Sequence, residues 1–273
     1  MLEPKQLKRI CRLWNELADF DMADSEAALI HLLKTVAGWV GADNGVWIGG
    51  VRMMSGKSAR RDRLHGWRVR MVRHWLKPRE IIRLSRLAEK THDTDPGMTT
   101  MAVVRRAGHF RSYRLNNGSL VNVAKFKRTP HYEIYFENAG VADRIWVVFP
   151  VNQDAESYFL FDRYRGVRAG KKSGGRKSFS PKDEQLAMFI LCGLKWFHRQ
   201  LMLRYGLLVA GDALTAAEQK ILAQLLTDKS EKEIADELKC SFHTAHRHVT
   251  EIFRKFGVNG RAGLMALWLG KAK

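Results

Sequence analysis

The chain has 273 residues, 45% hydrophobic and 27% charged, with three scattered cysteines. That supplies cores for two ordinary domains and excludes collagen-like, low-complexity, disordered and disulfide-framework classes. Lysine and arginine number 47 against 28 acids, and the net charge of +19 favours a polyanionic partner: nucleic acid, an anionic surface or ribosomal material.

Leu7, Ile10, Leu13, Trp14 and Leu17 recur at helical spacing, as do Ala28, Leu29, Leu32, Leu33, Val36 and Val40, so two helices open the chain. Gly41 ends the second, and Asn44-Gly45 turns into a strand over residues 46–53. Residues 55–63 read as a basic loop. Residues 67–75 alternate apolar side chains with arginine, the period of a half-buried strand. A helix is expected over 78–90, then a turn-rich break over 92–97. Asn116-Asn117-Gly118 signals a turn, followed by a short strand at 120–126 and a short helix at 131–138. Residues 144–151 and 158–163 are the clearest strands, and the gap between them has hairpin length. Residues 168–177 read as a Gly- and Lys-rich linker.

Ser180 can cap a helix that Pro181, Asp183 and Glu184 suit at its first turn. Its apolar face (Leu186, Phe189, Ile190, Leu194, Phe197, Leu201, Leu203) extends it to about residue 208, roughly 26 residues or 39 Å. Such a helix reads as a dimer contact and signal rod, or as a cover for the preceding sheet. Helices flanking a mostly antiparallel sheet predict an α+β module.

The last 63 residues hold four helices with capping signals. Thr215 and Glu218 have capping-box spacing, and Ser230 and Glu233 repeat it. Ser241 caps a third helix whose inward face is Ala245, Val249, Ile252, Phe253 and Phe256. Asn259 precedes a fourth, apolar at Ala262, Met265, Ala266 and Leu269. The second and third are separated only by Lys239-Cys240, the spacing of a helix-turn-helix. His243, His246, Arg247, Thr250 and Arg254 then face outward, where imidazole, guanidinium and hydroxyl groups meet base edges or phosphates. Three histidines within six residues also permit metal ligation, but no second group completes a site apart from Cys240.

The segment LTAAE, with KEIADEL, S-x-x-T and H-V-x-x-I-F-x-K-F-G-V-x-x-R, resembles the LuxR/FixJ/GerE helix-turn-helix family over about 60 residues. The resemblance implies phosphate contacts for Lys232, Thr244 and Lys255, and it places Ser241 at the recognition-helix cap. It puts His246 and Arg247 in the major groove, with Thr250 one turn on. His248 matches the family's common histidine, which supports the helix or a phosphate. The last helix is a frequent dimer contact in that family, which makes Leu264, Leu267 and Trp268 candidates. Three positions depart from the pattern: His246 stands where lysine is usual, Ala245 where valine is usual, and Lys239 where the turn often has glycine.

The first part resembles a GAF- or PAS-type sensor in layout, and HYEIYFENAGVADRIWVVFPVNQDAESYFLFDR resembles regulators that join such a sensor to a LuxR-type module. Trp47, Trp146, Phe149, Tyr158 and Phe161 suit either a pocket lining or an ordinary core. His109 and His131 are isolated, and Glu133 and Glu137 read as exposed helical carboxylates. No cofactor is indicated, and no Walker loop, G-x-S-x-G or metalloprotease motif suggests an enzyme.

The resulting expectation is an α+β sensor or input domain over residues 1–179, a connecting and dimerising helix over 180–211, and an all-α four-helix reading head over 212–273. The function expected is a homodimeric DNA-binding transcriptional regulator with double-stranded DNA and an unidentified effector or protein as partners. No apolar run reaches the roughly 18 residues of a membrane span, and MLEPKQLKRI lacks a signal peptide's apolar stretch. A cytoplasmic, bacterial location at the nucleoid follows. The alternative is a nucleic-acid-binding protein without an effector, whose basic first part is a second DNA or RNA surface. Residues 52–90, 105–128 and 163–177 carry most of that charge.

Overall fold

The computed structural model describes residues 3–76, 96–165, 167–168, 171–172, 178–208 and 214–269. The helix expected at 78–90, most of the break at 92–97 and most of the linker at 168–177 lie outside them. The chain forms two compact units, Met1–Ile10 with Ile30–Lys195 and Cys11–Leu29 with Trp196–Lys273. No described helix is long and apolar enough to cross a membrane.

Helices α1 (Pro4–Ala18) and α2 (Ser25–Val40) form where apolar spacing predicts them. The first unit is built on one antiparallel sheet. Its strands are β1 (Asn44–Arg52), β2 (Trp67–His74), β3 (Arg111–Arg114), β4 (Val141–Pro150) and β5 (Ala155–Tyr164), in the order β2-β1-β5-β4-β3. The hairpin gap correctly placed β4 beside β5, with Val147 opposite Phe159. Period-two alternation gives the sheet two faces. Trp47, Ile145, Val147, Phe159 and Phe161 are buried on one, where helix α7 (Pro181–Cys192) packs on β3 and β4. Val46, Trp146, Val148 and Leu160 belong to the core on the other.

Local chemistry overrides pattern at several places. Residues 55–63 hold the short helix α3 (Gly56–Arg61) rather than a loop. Helix α4 (Met98–Val104) and β3 were not anticipated. Residues 120–126 form no strand. The Asn122 side chain instead accepts from the Lys125 N–H at 3.0 Å and caps the helical turn α5 (Val123–Phe126). Thr129 caps α6 (Pro130–Tyr132), which continues as a π-helical turn, Glu133–Glu137. The single helix expected over 180–208 is two. After α7 the chain leaves helical geometry at Gly193 and Leu194, and α8 (Lys195–Arg204) begins. Glycine has the lowest helix propensity after proline, and Leu194 is wholly buried in the break.

The second unit carries α9 (Ala216–Leu225), α10 (Glu231–Glu237), α11 (Phe242–Phe256) and α12 (Arg261–Trp268). Both capping boxes are present, Ser241 caps α11, and Gly257 ends it at φ +62°. The core joins Ile221, Leu222, Leu225, Ile234, Val249, Ile252, Phe256, Leu264 and Trp268.

Candidate functional site

Two features of the units call for a chemical reading, one in each. In the second unit, α10 and α11 form a helix-turn-helix. The turn depends on Lys239 at φ +53°, a left-handed conformation that favours glycine, which accounts for the local strain the missing glycine implied. The Cys240 N–H returns to the Ala235 carbonyl at 3.0 Å and closes it. Ala245, Val249, Ile252 and Phe256 face inward and are buried, so the opposite side of α11 is solvent-facing.

On that side His243, His246, Arg247, Thr250 and Arg254 are exposed, with Ser241 at the cap and Lys232 exposed in the first turn of α10. Thr244 and His248 are half-buried. Ser241 Oγ accepts from the Thr244 N–H at 3.1 Å, and Thr250 donates its hydroxyl to the His246 carbonyl at 3.0 Å. His246 Nδ1 lies 2.9 Å from Glu231 Oε2, while its ring stacks on Phe242 with centroids 6.0 Å apart. Arg254 pairs with Glu251 on its own helix, and this pairing holds the Glu251 carboxyl below the usual glutamate range.

Two groups of sequence-predicted residues are placed differently. Lys255 does not offer its charge outward: its Nζ lies 2.8 and 3.0 Å from the two Glu218 oxygens, with side chains 9% and 4% exposed. It is a clamp between α11 and α9, because Glu218 is turned inward by its own capping bond to the Thr215 N–H. Leu264 and Trp268 are buried in the unit's own core at 1% and 3% exposure, so they are not available as a dimer contact, and Leu267 is half-buried. Helix α12 is apolar on both sides, and packing turned Leu264 and Trp268 inward, leaving Ala262 and Leu269 exposed. Sequence reasoning also missed Phe242, a large apolar side chain 56% exposed at the first position of α11. Its signal was visible as an aromatic residue immediately after the cap. Among the described residues no three His, Cys, Asp or Glu side chains are placed to hold a metal ion.

In the first unit, the sheet face opposite α7 borders a cavity of about 220 Å³. Its lining is mainly apolar, from Val46 and Ile48 on β1, Val69 and Val72 on β2, and Trp146 and Leu160 on β4 and β5. Of the five aromatic candidates, Trp146 and Tyr158 line it, whereas Trp47, Phe149 and Phe161 do not. Two glycines make room. A Cβ at Gly50 would lie 2.7 Å from the Tyr158 ring, and one at Gly97 would lie 2.2 Å from His131. The π-helical turn carries Tyr135 and Phe136 to the lining, a helix irregularity common at functional sites.

The polar groups there are held firmly. Arg144 Nη2 donates to Asp162 Oδ2 at 2.8 Å, and its guanidinium lies over Phe136 and Trp146 at 4.7 and 5.6 Å. Tyr158 donates to Glu156 Oε2 at 2.6 Å, and Glu156 takes a two-pronged contact from buried Arg111 at 2.8 Å per arm. Burial and the adjacent Glu156 carboxylate push the Tyr158 phenol well above its ordinary value, so it stays a neutral donor. The cavity is thus a mainly apolar chamber whose polar edge includes the Arg144–Asp162 ion pair, Tyr158, Arg68, His74, His131, Thr99 and Thr100. That arrangement suits binding of a mainly apolar molecule.

Comparison with known proteins bears on the second unit. Residues 212–267 match the family model described as bacterial regulatory proteins, luxR family. The spore germination protein GerE of Bacillus subtilis (strain 168) is 41% identical over 49 residues, a stretch covering 18% of this chain and 66% of that protein. Among solved structures, SdiA in complex with octanoyl-rac-glycerol is 13% identical, covering 99% of this chain and 97% of that one, with a TM-score of 0.47. The VqsR LBD domain of Pseudomonas aeruginosa is 14% identical, covering 72% and 96%, with a TM-score of 0.41.

Proposed function

We propose, from a second unit whose helix-turn-helix matches the luxR family of bacterial regulatory proteins, that this chain is a sequence-specific DNA-binding transcriptional regulator. In this reading residues 1–179 form a GAF/PAS-like input domain, 180–211 the connection and 212–273 the reading head. The carrying observation is α11: its inner face is buried and its outer face, Phe242 at its start apart, is cationic or polar, with its one carboxylate paired to Arg254. Phosphate would meet no unpaired acid on that helix. Lys232, Ser241, Thr244 and His248 position the backbone, while His243, His246, Arg247 and Thr250 face the bases. With Nδ1 turned to Glu231, a neutral His246 offers Nε2 as an acceptor, and a protonated one offers a donor. Lysine at that position could only donate.

Selection of bound duplexes from a random library by the full chain tests this. Enrichment of a two-fold site, with half-sites about 34–36 Å apart or a multiple of that, is expected. Failure to retain any duplex at low ionic strength would refute it.

The cavity supports a small, mainly apolar effector as the input. Ala139 is buried against it, so Ala139→Leu should fill the space. Thermal-shift screening of small amphipathic compounds is expected to yield ligands that raise the wild-type Tm and leave the variant unmoved. Equal shifts in both proteins would place binding elsewhere.

Dimerisation is assigned to the outer side of α12. Leu269, at the C-cap of α12, is 63% exposed, and Ala262, about two turns earlier on the same side, is exposed as well. Ala262→Glu with Leu269→Glu is expected to yield monomers in sedimentation velocity with little change in stability. Leu264→Ala should instead cost about 2–5 kcal/mol of stability through a core cavity. An unchanged dimer in the double variant would move the contact off α12.

A further inference from the structure

We infer that the first unit carries a second, sequence-independent contact for duplex DNA, formed by Lys57, Arg60 and Arg61 of α3 with Arg105 and Arg106 after α4. It rests on the reading of the second unit as a DNA-binding head. The two segments are brought together by a small core of Leu64, Trp67 and Val104, with Met101 and Ala107 packed against it. All five basic side chains are exposed. Among the described residues none of them pairs with a carboxylate, and Arg106 has only the Tyr113 ring, at 5.8 Å.

Seven other arginines of the unit are placed differently, whereas Lys125, Lys127 and Arg128 are exposed as this surface is and serve as the comparison below. Arg52, Arg68, Arg111, Arg114, Arg144, Arg163 and Arg165 each have an aspartate or glutamate partner. Cations without counter-charges repel one another, and a polyanion relieves that cost. Helix-dipole compensation accounts for Arg60 and Arg61 in the last turn of α3, but it disfavours Lys57 in the first. A local preference broken in this way fits a binding role better than a folding one. Arg70, exposed on the edge strand β2, is left out because edge strands carry charge to resist pairing.

The chemistry selects the partner. The aromatic rings nearest the patch do not face outward as a stacking platform for single-stranded bases: Trp67 and Tyr113 are buried, and half-buried Phe110 packs edge-on against Phe149 with centroids 5.9 Å apart. Helix α3, Gly-Lys-Ser-Ala-Arg-Arg, has no apolar face to enter a membrane. What remains is a row of point charges suited to phosphates on a rigid duplex. With the reading head on its site, flanking duplex stands at high effective concentration before the same chain.

The test measures full-chain binding to a selected site, with and without flanking duplex, across a salt series. K57Q/R60Q/R61Q is compared with the charge-matched K125Q/K127Q/R128Q, which removes exposed cations elsewhere on the unit. On the flanked site the first variant is expected to flatten the log K against log salt slope by about 0.9 per lost contact, up to about 2.7, and to bind at least about tenfold more weakly. On the bare site, and in the control, the slope should stay near that of wild type. R105Q/R106Q should flatten the slope likewise, by up to about 1.8. An unchanged slope in the first variant overturns the inference while leaving the reading head intact, as does an equal loss in the control. Loss of phosphatidylglycerol-vesicle binding with duplex binding unchanged overturns it in favour of a membrane surface. If wild type binds no duplex, the reading of the head itself fails.

Discussion

Lys255→Met is expected to destabilise the second unit by about 3–5 kcal/mol, because it strands a carboxylate in the interior. Glu218 and Lys255 have side chains 4% and 9% exposed, and both Glu218 oxygens lie within 3.0 Å of Nζ. Methionine keeps the volume and removes the charge, so the loss reports the stranded carboxylate rather than a cavity. Burial pushes the Glu218 carboxyl up, but bonds from Lys255 and Thr215 outweigh it and hold it below the usual glutamate range. A depressed carboxyl stabilises fully above its unfolded value and loses that contribution as pH falls through the folded one. Wild-type stability should therefore drop on acidification below the ordinary glutamate range, and Glu218→Gln should blunt that drop. Denaturant melts followed across pH check both. A loss under about 1 kcal/mol in Lys255→Met would mean that water screens the pair as it does surface pairs. Any fall in DNA affinity should track the unfolded fraction, since Lys255 is a clamp and not a phosphate ligand.

Arg247→Ala is the variant expected to change recognition most. Arg247 is exposed at the middle of the outward face of α11, and no carboxylate competes for it among the described residues. If Arg247 reads a base edge as proposed, its loss should cost about 1–3 kcal/mol at the preferred site and relax choice at one base position. Lys232→Ala should weaken every site about equally and reduce the salt slope by roughly 1. Binding-site selection with each variant separates the two. An Arg247→Ala protein with unchanged affinity and unchanged preference would show that the helix enters the groove in a different rotation.

Much of the reading head was legible because its signals are local. Thr215, Ser230 and Ser241 announce helix starts through bonds made within three residues. The inward positions of α11 follow from spacing alone because one side of it is apolar and the other is not. Helix α12 lacks that contrast, so its inward side could not be read. The partner of Lys255 was hidden for a different reason: Glu218 lies 37 residues away in sequence and was already explained as a cap.

The first unit was legible at its central strands and illegible at its cavity. Strands β4 and β5 announce themselves as apolar runs joined by a short gap. At the polar edge of the cavity Arg144 and Asp162 meet across β4 and β5, and Tyr158 donates to Glu156 on its own strand, which Arg111 of β3 holds in place. Asn122 and Gly193 show how a side-chain cap or one residue of low helix propensity overrides a hydrophobic pattern.

Capping bonds, helical period and charge excess act within a few residues or over the whole composition, so reading down the chain suffices to recover them. Which apolar side turns inward, which arginines find a carboxylate and where an empty chamber is left depend on non-neighbouring segments meeting. The energy that decides these comes from burial and desolvation, which exist only once the chain has closed on itself.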